Sequence, residues 1–224
     1  MKTIVLTFIL GLFLSISANA QINKQQYKNR SEMMGLVKKL QDDKVSKTAR
    51  KQAKEMKKDG WAVAPGSLTL EKQIENSALY QNSYEDDGVT PKFVWGDATS
   101  IGEHYDGAKM QALEIARMNL VSNIETSITK LVEANNSNKQ LQAGDAASVS
   151  KAITAAKSFV SKKIGQTITV IEAYKKTKNG NYEVRVQIFY SMEKARTLAK
   201  QGIREELEKA GDELHEDIDE LLGF

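Results

Sequence analysis

The feature that most constrains the fold is one segment in which apolar and polar residues alternate without a break. The apolar set is Tyr182, Val184, Val186, Ile188 and Tyr190, and the polar set is Glu183, Arg185 and Gln187. Because side chains alternate between the two faces of a strand, this pattern predicts one face in a core and one in water. Asn179-Gly180 stands just before it, and Asn-Gly between two strand-like runs predicts a two-residue turn of the primed type. We therefore expect an antiparallel hairpin over residues 166–191.

Periodicity in the rest of the chain places this hairpin in an α+β domain. The predicted order is β-α-α-β-β-α, with a strand at 92–100, helices at 103–134 and 148–164, the hairpin, and a last helix from Met192. This order predicts a small antiparallel sheet of about three strands with helices packed on one face. Gly96 predicts a bulge or a close backbone approach, and Gly165 predicts a left-handed helix cap.

The longest predicted helix has one buried face. Its apolar positions recur every three or four residues, namely Tyr105, Ala108, Ala112, Ala116, Leu120, Ile124, Ile128 and Leu131. The small residues near its start predict a close approach to the sheet.

The composition of the flanking regions predicts four segments. They are a signal peptide (1–20), a basic helical extension (21–90), the α+β domain (91–192) and an acidic amphipathic C-terminal helix (193–224). Residues 24–59 read as one helix, a second helix starts at Ser67 or Thr69, and residues 84–91 read as the boundary loop. Gly202 and Gly211 are expected weak points of the last helix, each costing about 1 kcal/mol relative to Ala.

Charge separates strongly between the two ends of the chain. Residues 24–58 hold twelve basic and four acidic side chains, a net charge of +8, whereas residues 203–224 hold two basic and nine acidic ones, a net charge of −7. We expect these ends to dock on each other, within one chain or between neighbours. The candidate interaction residues are Lys47, Arg50, Lys51, Lys54, Glu205, Glu208, Asp212 and Glu216.

A second interpretation of the basic segment is a binder of anionic polymers or surfaces. We interpret its charges as surrounding the helix, and aromatic residues are not interleaved among them. A nucleic acid is therefore not the expected ligand. We expect a protein partner or self-association, and leave a small-molecule ligand open.

The N-terminus has the pattern of an export signal. Lys2 precedes an apolar run over residues 4–16, and Ala18-Asn19-Ala20 matches the small-x-small cleavage site. The run is shorter than the roughly 20 residues that a transmembrane helix needs, although an uncleaved anchor stays open. We expect cleavage before Gln21 and a location in the periplasm or outside a bacterial cell, with no later membrane span.

The residue inventory excludes several chemistries. The chain has no cysteine, which removes thiolate zinc sites, cysteine nucleophiles and a lipid-bearing N-terminal cysteine. We find no phosphate loop, dinucleotide-binding glycine motif, nucleophile elbow or HExxH sequence. We interpret His104 as a surface residue in preference to a metal ligand. The same interpretation applies to His215, which stands among Asp212, Glu216 and Asp219. We interpret Phe93, Trp61 and Trp95 as core residues in preference to the lining of a ligand groove. We predict a non-enzymatic protein without catalytic residues, cofactor or metal.

The order of elements after residue 90 resembles a known envelope domain. The resembling parts are Phe93-Val94-Trp95-Gly96, a helix with Ala108, Ala112, Ala116 and Arg117, the strand Ile168-Thr169-Val170, and the return strand Tyr182-Glu183-Val184-Arg185-Val186. These are similar to the LPP-twenty-type lipoprotein domain and to the N-terminal domain of the flagellar assembly protein T group, over about 100 of the 204 residues after the signal. The resemblance implies an α+β fold, an envelope location and an assembly or structural role. It brings no catalytic residues, and this chain lacks the family's lipid-bearing cysteine. The stretch 60–68 resembles secreted proteins of the Bacteroidetes type, which implies a location and not an activity.

Overall fold

The computed structural model describes residues 44–136 and 143–210, together with the single helical positions Ser31 and Gly35. The predicted signal peptide, most of residues 24–43 and the end of the chain after Ala210 lie outside these residues. The elements are α1 (Lys47–Lys58), α2 (Leu70–Gln81), β1 (Phe93–Gly102), α3 (Tyr105–Asn136), α4 (Ala143–Lys163), β2 (Ile168–Lys176), β3 (Tyr182–Ser191) and α5 (Met192–Ala210).

The three strands form one antiparallel sheet in the order β1-β3-β2. β1 pairs with β3 without interruption from Phe93 opposite Ser191 to Gly102 opposite Tyr182. β2 pairs with the other side of β3 and has an irregularity between Thr169 and Ile171. The predicted α+β class with a small three-stranded antiparallel sheet is therefore confirmed.

The first face of the sheet carries Val94, Ala98, Val184, Val186 and Ile188, and α3 packs directly on it. The predicted buried stripe of α3 is confirmed from its second turn onward, because its members are fully buried, namely Ala108, Ala112, Ala116, Leu120, Ile124 and Ile128. Tyr105 is half-buried, and the side chain of Leu131 lies outside the described residues.

Gly96 is the point where α3 comes closest to the sheet. A Cβ atom at this position would lie 2.0 Å from the carbonyl oxygen of Ala116 and 2.6 Å from the backbone nitrogen of Leu120. Both distances are far shorter than any non-bonded contact. The predicted close approach is thus confirmed, and the alternative of a bulge is not, since the register of β1 is unbroken.

α4 and α5 pack on each other and complete the core on the first face. A Cβ atom at Gly202 would lie 2.3 Å from Cβ of Phe159, so the glycine sits at the crossing of the two helices. The sequence interpretation of Gly202 as a weak point of the helix is therefore corrected. Because Gly202 has no side chain, the two helices can cross closely. The low helix propensity of glycine affects stability less than this steric requirement.

The second face of the sheet carries Phe93, Trp95, Ile171, Gln187 and Phe189, and α2 covers part of it. The expectation of helices on one face, with a wet second face, is wrong here: Gln187 is 3% exposed and Phe189 is 0% exposed. The ring of Tyr80 lies between those of Phe93 and Phe189, with centroids 4.8 and 5.0 Å away. The apolar side chains on this face need cover, and α2 supplies an apolar stripe with Leu70 and Ile74, both buried.

The region before β1 belongs to the same compact unit as the sheet, and that unit begins at Val45. The loop at 84–91 is consequently not a boundary between separately packed parts. After α1, Ala62 forms a β-bridge with Tyr174 on the edge of β2. The single helix predicted for residues 24–59 is interrupted at 44–46, because Ser46 has an extended backbone and caps α1 by accepting from the backbone N–H of Ala49.

Two local predictions about glycines are corrected. Gly180 adopts φ +84°, but Asn179 does not adopt a positive φ, which a primed turn would need. Instead the N–H of Gly180 donates to the carbonyl of Thr177, and that of Thr177 donates to Asn181. This is a three-residue loop in which Gly180 takes the left-handed position. Gly165 does not adopt a positive φ either, so it is not a left-handed cap.

Candidate interaction surface

The basic side chains of α1 form a continuous stripe on its solvent side. They are exposed and lie on the side of the helix away from the buried Ala49 and Ala53. We call this set the basic stripe, and its members are Lys47, Arg50, Lys51, Lys54 and Lys58. Positions three and four apart share a helix face, so within α1 these charges lie on one side and do not surround the helix, as the composition of residues 24–58 had suggested. All four predicted basic interaction residues lie in the stripe.

Polar contacts at both ends hold α1 against α2. The hydroxyl of Ser46 donates to Oε2 of Glu75 at 2.6 Å, and Nζ of Lys57 lies 2.6 Å from Oε1 of Glu71. The hydrogen bond from Lys57 holds the pKa of Glu71 below its usual value of 4.5. Lys57 is thus engaged within the domain, whereas the stripe faces outward.

The predicted acidic counterpart is only partly described. Glu205 is half-buried on α5 and accepts from Nε2 of Gln201 at 3.2 Å. The side chain of Glu208, and Asp212 and Glu216, lie outside the described residues, as does His215. α5 lies over the first face and α1 over the second, so the structure does not bring Glu205 to the basic stripe.

A cleft of about 530 Å³, lined by polar and apolar groups in similar measure, lies beside the stripe, between α1, α2 and the sheet. Glu55 lines it from α1 and Asp59 from the cap that ends this helix, and Arg185 and Gln187 line it from β3. Gln187 is reached by the hydroxyl of Ser77, which donates to its Oε1 at 2.5 Å. The alternation of β3 predicted Arg185 and Gln187 to face water, and it contained no signal that α1 and α2 would form a wall above them.

An ion pair fixes Arg185 on the floor of the cleft. Its Nη2 and Nε donate to the two carboxylate oxygens of Asp97 at 2.5 and 3.2 Å. These hydrogen bonds raise the pKa of Arg185 against the opposing effect of burial. Asp97 and Arg185 are diagonal neighbours on adjacent strands, because Asp97 stands opposite Gln187.

A second polar cluster closes the hairpin end of the first face. The hydroxyl of Tyr105 donates to Glu172 at 2.6 Å, and Nζ of Lys109 lies 2.8 Å from the same oxygen. The ring of Tyr105 contacts those of Tyr174 and Tyr182 at 5.3 and 6.2 Å. Burial, followed by the bond to Glu172, raises the pKa of Tyr105. These partners satisfy one another while the rings pack on the core, so the cluster ties α3 to β2.

At both edges of the sheet, side-chain amides form hydrogen bonds with backbone groups that no neighbouring strand pairs. On β1, the amides of Asn119 and Asn123 donate to the carbonyls of Asp97 and Trp95 at 2.9 and 2.8 Å. On β2, the N–H of Glu172 donates to Oε1 of Gln73 at 2.8 Å, next to the bridge from Ala62. Capped edges disfavour the addition of a strand from a partner.

Other sequence candidates can be placed as well. His104 is exposed at the start of α3, and no group of three metal-ligating side chains occurs among the residues that the structure describes. Phe93 is buried, Trp95 and Trp61 are half-buried, and Nζ of Lys175 lies 4.7 Å from the centre of the Trp61 ring. In the described part of the chain no helix combines the length and apolar character needed to cross a membrane.

Comparison of the chain with protein-family models, curated proteins and solved structures found no match. The resemblance to the LPP-twenty-type and flagellar assembly domains therefore stays a prediction.

Proposed function

We propose that this protein is an exported, non-enzymatic component of the bacterial cell envelope that assembles through its basic stripe. The single observation that supports this most is the stripe itself, five exposed cations on one side of a helix that the domain holds in place. The export pattern of residues 1–20 supports the location, and the resemblance of residues 93–191 supports the assembly role.

The partner that we propose is the acidic segment 205–220 of a second copy. That segment holds nine acidic residues and one basic residue, so it complements the stripe in charge. Opposite charges at this density accelerate association and are screened by salt within about 8–10 Å. Because α1 and Glu205 lie on opposite sides of the sheet, contact between chains is the favoured form of this docking.

The test is the light-scattering mass of residues 21–224 at low and high salt. We expect an oligomer at low salt that dissociates at high salt. Replacing Lys47, Arg50, Lys51 and Lys54 by Glu should give a monomer. A matched control replaces four exposed basic residues away from α1 by Glu, namely Arg117, Lys130, Lys162 and Lys178, and should keep the oligomer.

A charge exchange makes the test specific for the proposed partner. The variant with Glu205, Glu208, Asp212 and Glu216 changed to Lys should also be a monomer, and an equal mixture of the two reversed variants should assemble again. A wild-type chain that is a monomer at both salts would refute self-assembly.

The same stripe favours one alternative, a binder of anionic polymers or surfaces. This alternative predicts that the wild-type monomer binds dextran sulfate and that the binding weakens steeply with salt. The binding should disappear in the stripe variant but not in the control.

A further inference from the structure

The cleft between α1, α2 and β3 has the size of a site for a small ligand and combines apolar surface with a few polar groups. Its volume of about 530 Å³ lies within the roughly 300–1,000 Å³ of small-molecule sites. Groups from three separate elements converge on it, and none of the sequence patterns predicted it. Its wall and the basic stripe are different sides of α1, so the cleft is independent of the proposed assembly function.

Arg185 supplies hydrogen-bond donors at the floor of the cleft. A guanidinium has five N–H donors, and two of them are used on Asp97. The side chain of Arg185 is 35% exposed and lines the cleft, so its remaining donors can meet an oxygen of a ligand. A carboxylate is, with phosphate, one of the two groups that a guanidinium binds most specifically.

Charges of the opposite sign stand on the α1 wall. Glu55 and Asp59 are four residues apart, hence on one side of the helix, and both are exposed and line the cleft. They accept hydrogen bonds and attract an ammonium group. Arg185, although paired with Asp97, keeps donors for an oxygen of a ligand, and Glu55 and Asp59 offer acceptors. The lining therefore matches a molecule that carries both a carboxylate and an ammonium group.

The apolar part of the lining adds room for an aliphatic side chain. Ile74 and Ile171 are both buried and line the cleft. None of the described residues that line it is aromatic, so the stacking surface that sugars commonly use is missing there. Exposed amide side chains of the lining, such as that of Gln52, complement peptide groups.

We propose that this cleft binds a zwitterionic short peptide, with its carboxylate on Arg185 and its ammonium near Glu55 and Asp59. Exposed charges are screened by water, so the expected affinity is weak, with a Kd on the order of 1 mM.

The test is an NMR titration of the full mature chain with the dipeptide Ala-Ala, following the side-chain amide signals of glutamine. We expect saturable shifts at Gln187 and at other glutamines of the cleft. N-acetyl-Ala-Ala and Ala-Ala-amide each lose one charge, and each should bind about tenfold more weakly. Absence of saturable shifts with Ala-Ala would overturn the site.

Three variants separate the site from its charges. E55Q with D59N should weaken Ala-Ala about tenfold and leave the affinity for its acetylated form unchanged. E114Q removes an exposed carboxylate on α3 and should change nothing. A78F places a ring at an exposed position in the cleft lining and should abolish binding. Equal binding of all three peptides would overturn the zwitterion assignment, and unchanged binding by A78F would overturn the location.

Discussion

On the first face of the sheet, α3 lies so close that Gly96 has no room for a Cβ atom. On the second face, α2 meets β3 partly through a buried hydrogen bond between Ser77 and Gln187, and a cleft of about 530 Å³ opens where α1 joins it. The first face is covered by close packing of small and aliphatic side chains. The second face is covered by aromatic rings together with hydrogen-bonded polar side chains.

This difference indicates where each face tolerates change. Close-packed aliphatic surfaces lose stability with any change of volume. A surface that includes polar pairs depends on whether each buried donor or acceptor keeps its partner. The second face is therefore the one on which candidate binding groups can be exposed without opening the core.

The largest expected effect is on the first face, from G96A. The added methyl group meets backbone atoms of α3 at 2.0 and 2.6 Å, so the helix must move, and we expect a loss of roughly 3 kcal/mol in the free energy of unfolding. Urea denaturation measures it. G107A is the control, because nothing lies within 4 Å of a Cβ atom there, and it should stabilise the protein by about 0.5–1 kcal/mol. Equal stabilities of the two variants would show that α3 does not pack as described.

The next effect concerns the crossing of α4 and α5. In G202A the new Cβ atom meets Cβ of Phe159 at 2.3 Å, a contact stronger than the gain in helix propensity, so we expect a net loss of roughly 2 kcal/mol. The combination with F159A should recover part of the loss caused by G202A, since the smaller residue makes room. A thermal melt in which G202A is more stable than the wild type would support the helix-propensity interpretation instead.

On the second face, a double-mutant cycle at Ser77 and Gln187 tests the role of polar pairing. Q187L removes the acceptor of a buried hydroxyl and should cost about 1–2 kcal/mol, whereas S77A with Q187L should cost less than the sum of the single changes. The unfolding free energies of the four proteins measure the coupling. Strict additivity would mean that the hydrogen bond contributes nothing.

The smallest effect is pH-dependent and concerns the attachment of α1. Because the pKa of Glu71 is lowered from 4.5 in the folded protein, its pair with Lys57 contributes stability above pH 4.5 that is lost as the pH falls through the folded pKa. Both side chains are partly exposed, so K57M should cost at most about 1 kcal/mol at pH 7, and this cost should vanish in acid. K58M is the matched control, because Lys58 is an exposed neighbour on the same helix, and it should show no such change with pH.

Several elements could be predicted because their signals are local. The stripe of α3 repeats at helical spacing over six buried positions, and the alternation of β3 places Val184, Val186 and Ile188 on one face. The backbone conformations of Gly165 and Gly180 show what such local signals cannot predict. The choice between related turn and cap geometries depends on backbone angles that Gly and Asn permit but do not specify.

The candidate surfaces were predictable to different degrees. The basic residues of α1 were identified from charge alone, but their arrangement as a stripe depends on which side of the helix Ala49 and Ala53 bury. The cleft was not predictable, since its carboxylates and its arginine are about 130 residues apart in the chain. Only packing brings Glu55 and Arg185 to the same site.

The sequence by itself determined the α+β class, the hairpin and the buried side of α3, because hydrophobic periodicity acts locally. For Gly96 it limited the choice to a bulge or a close approach, and the unbroken register of β1 decided between them. The tertiary structure decided that α2 covers the second face, that Gly202 sits at a helix crossing, and that Arg185 and Gln187 lie in a cleft. These features follow from contacts between segments distant in the chain, and the free energy of such contacts depends on the partner that each surface meets.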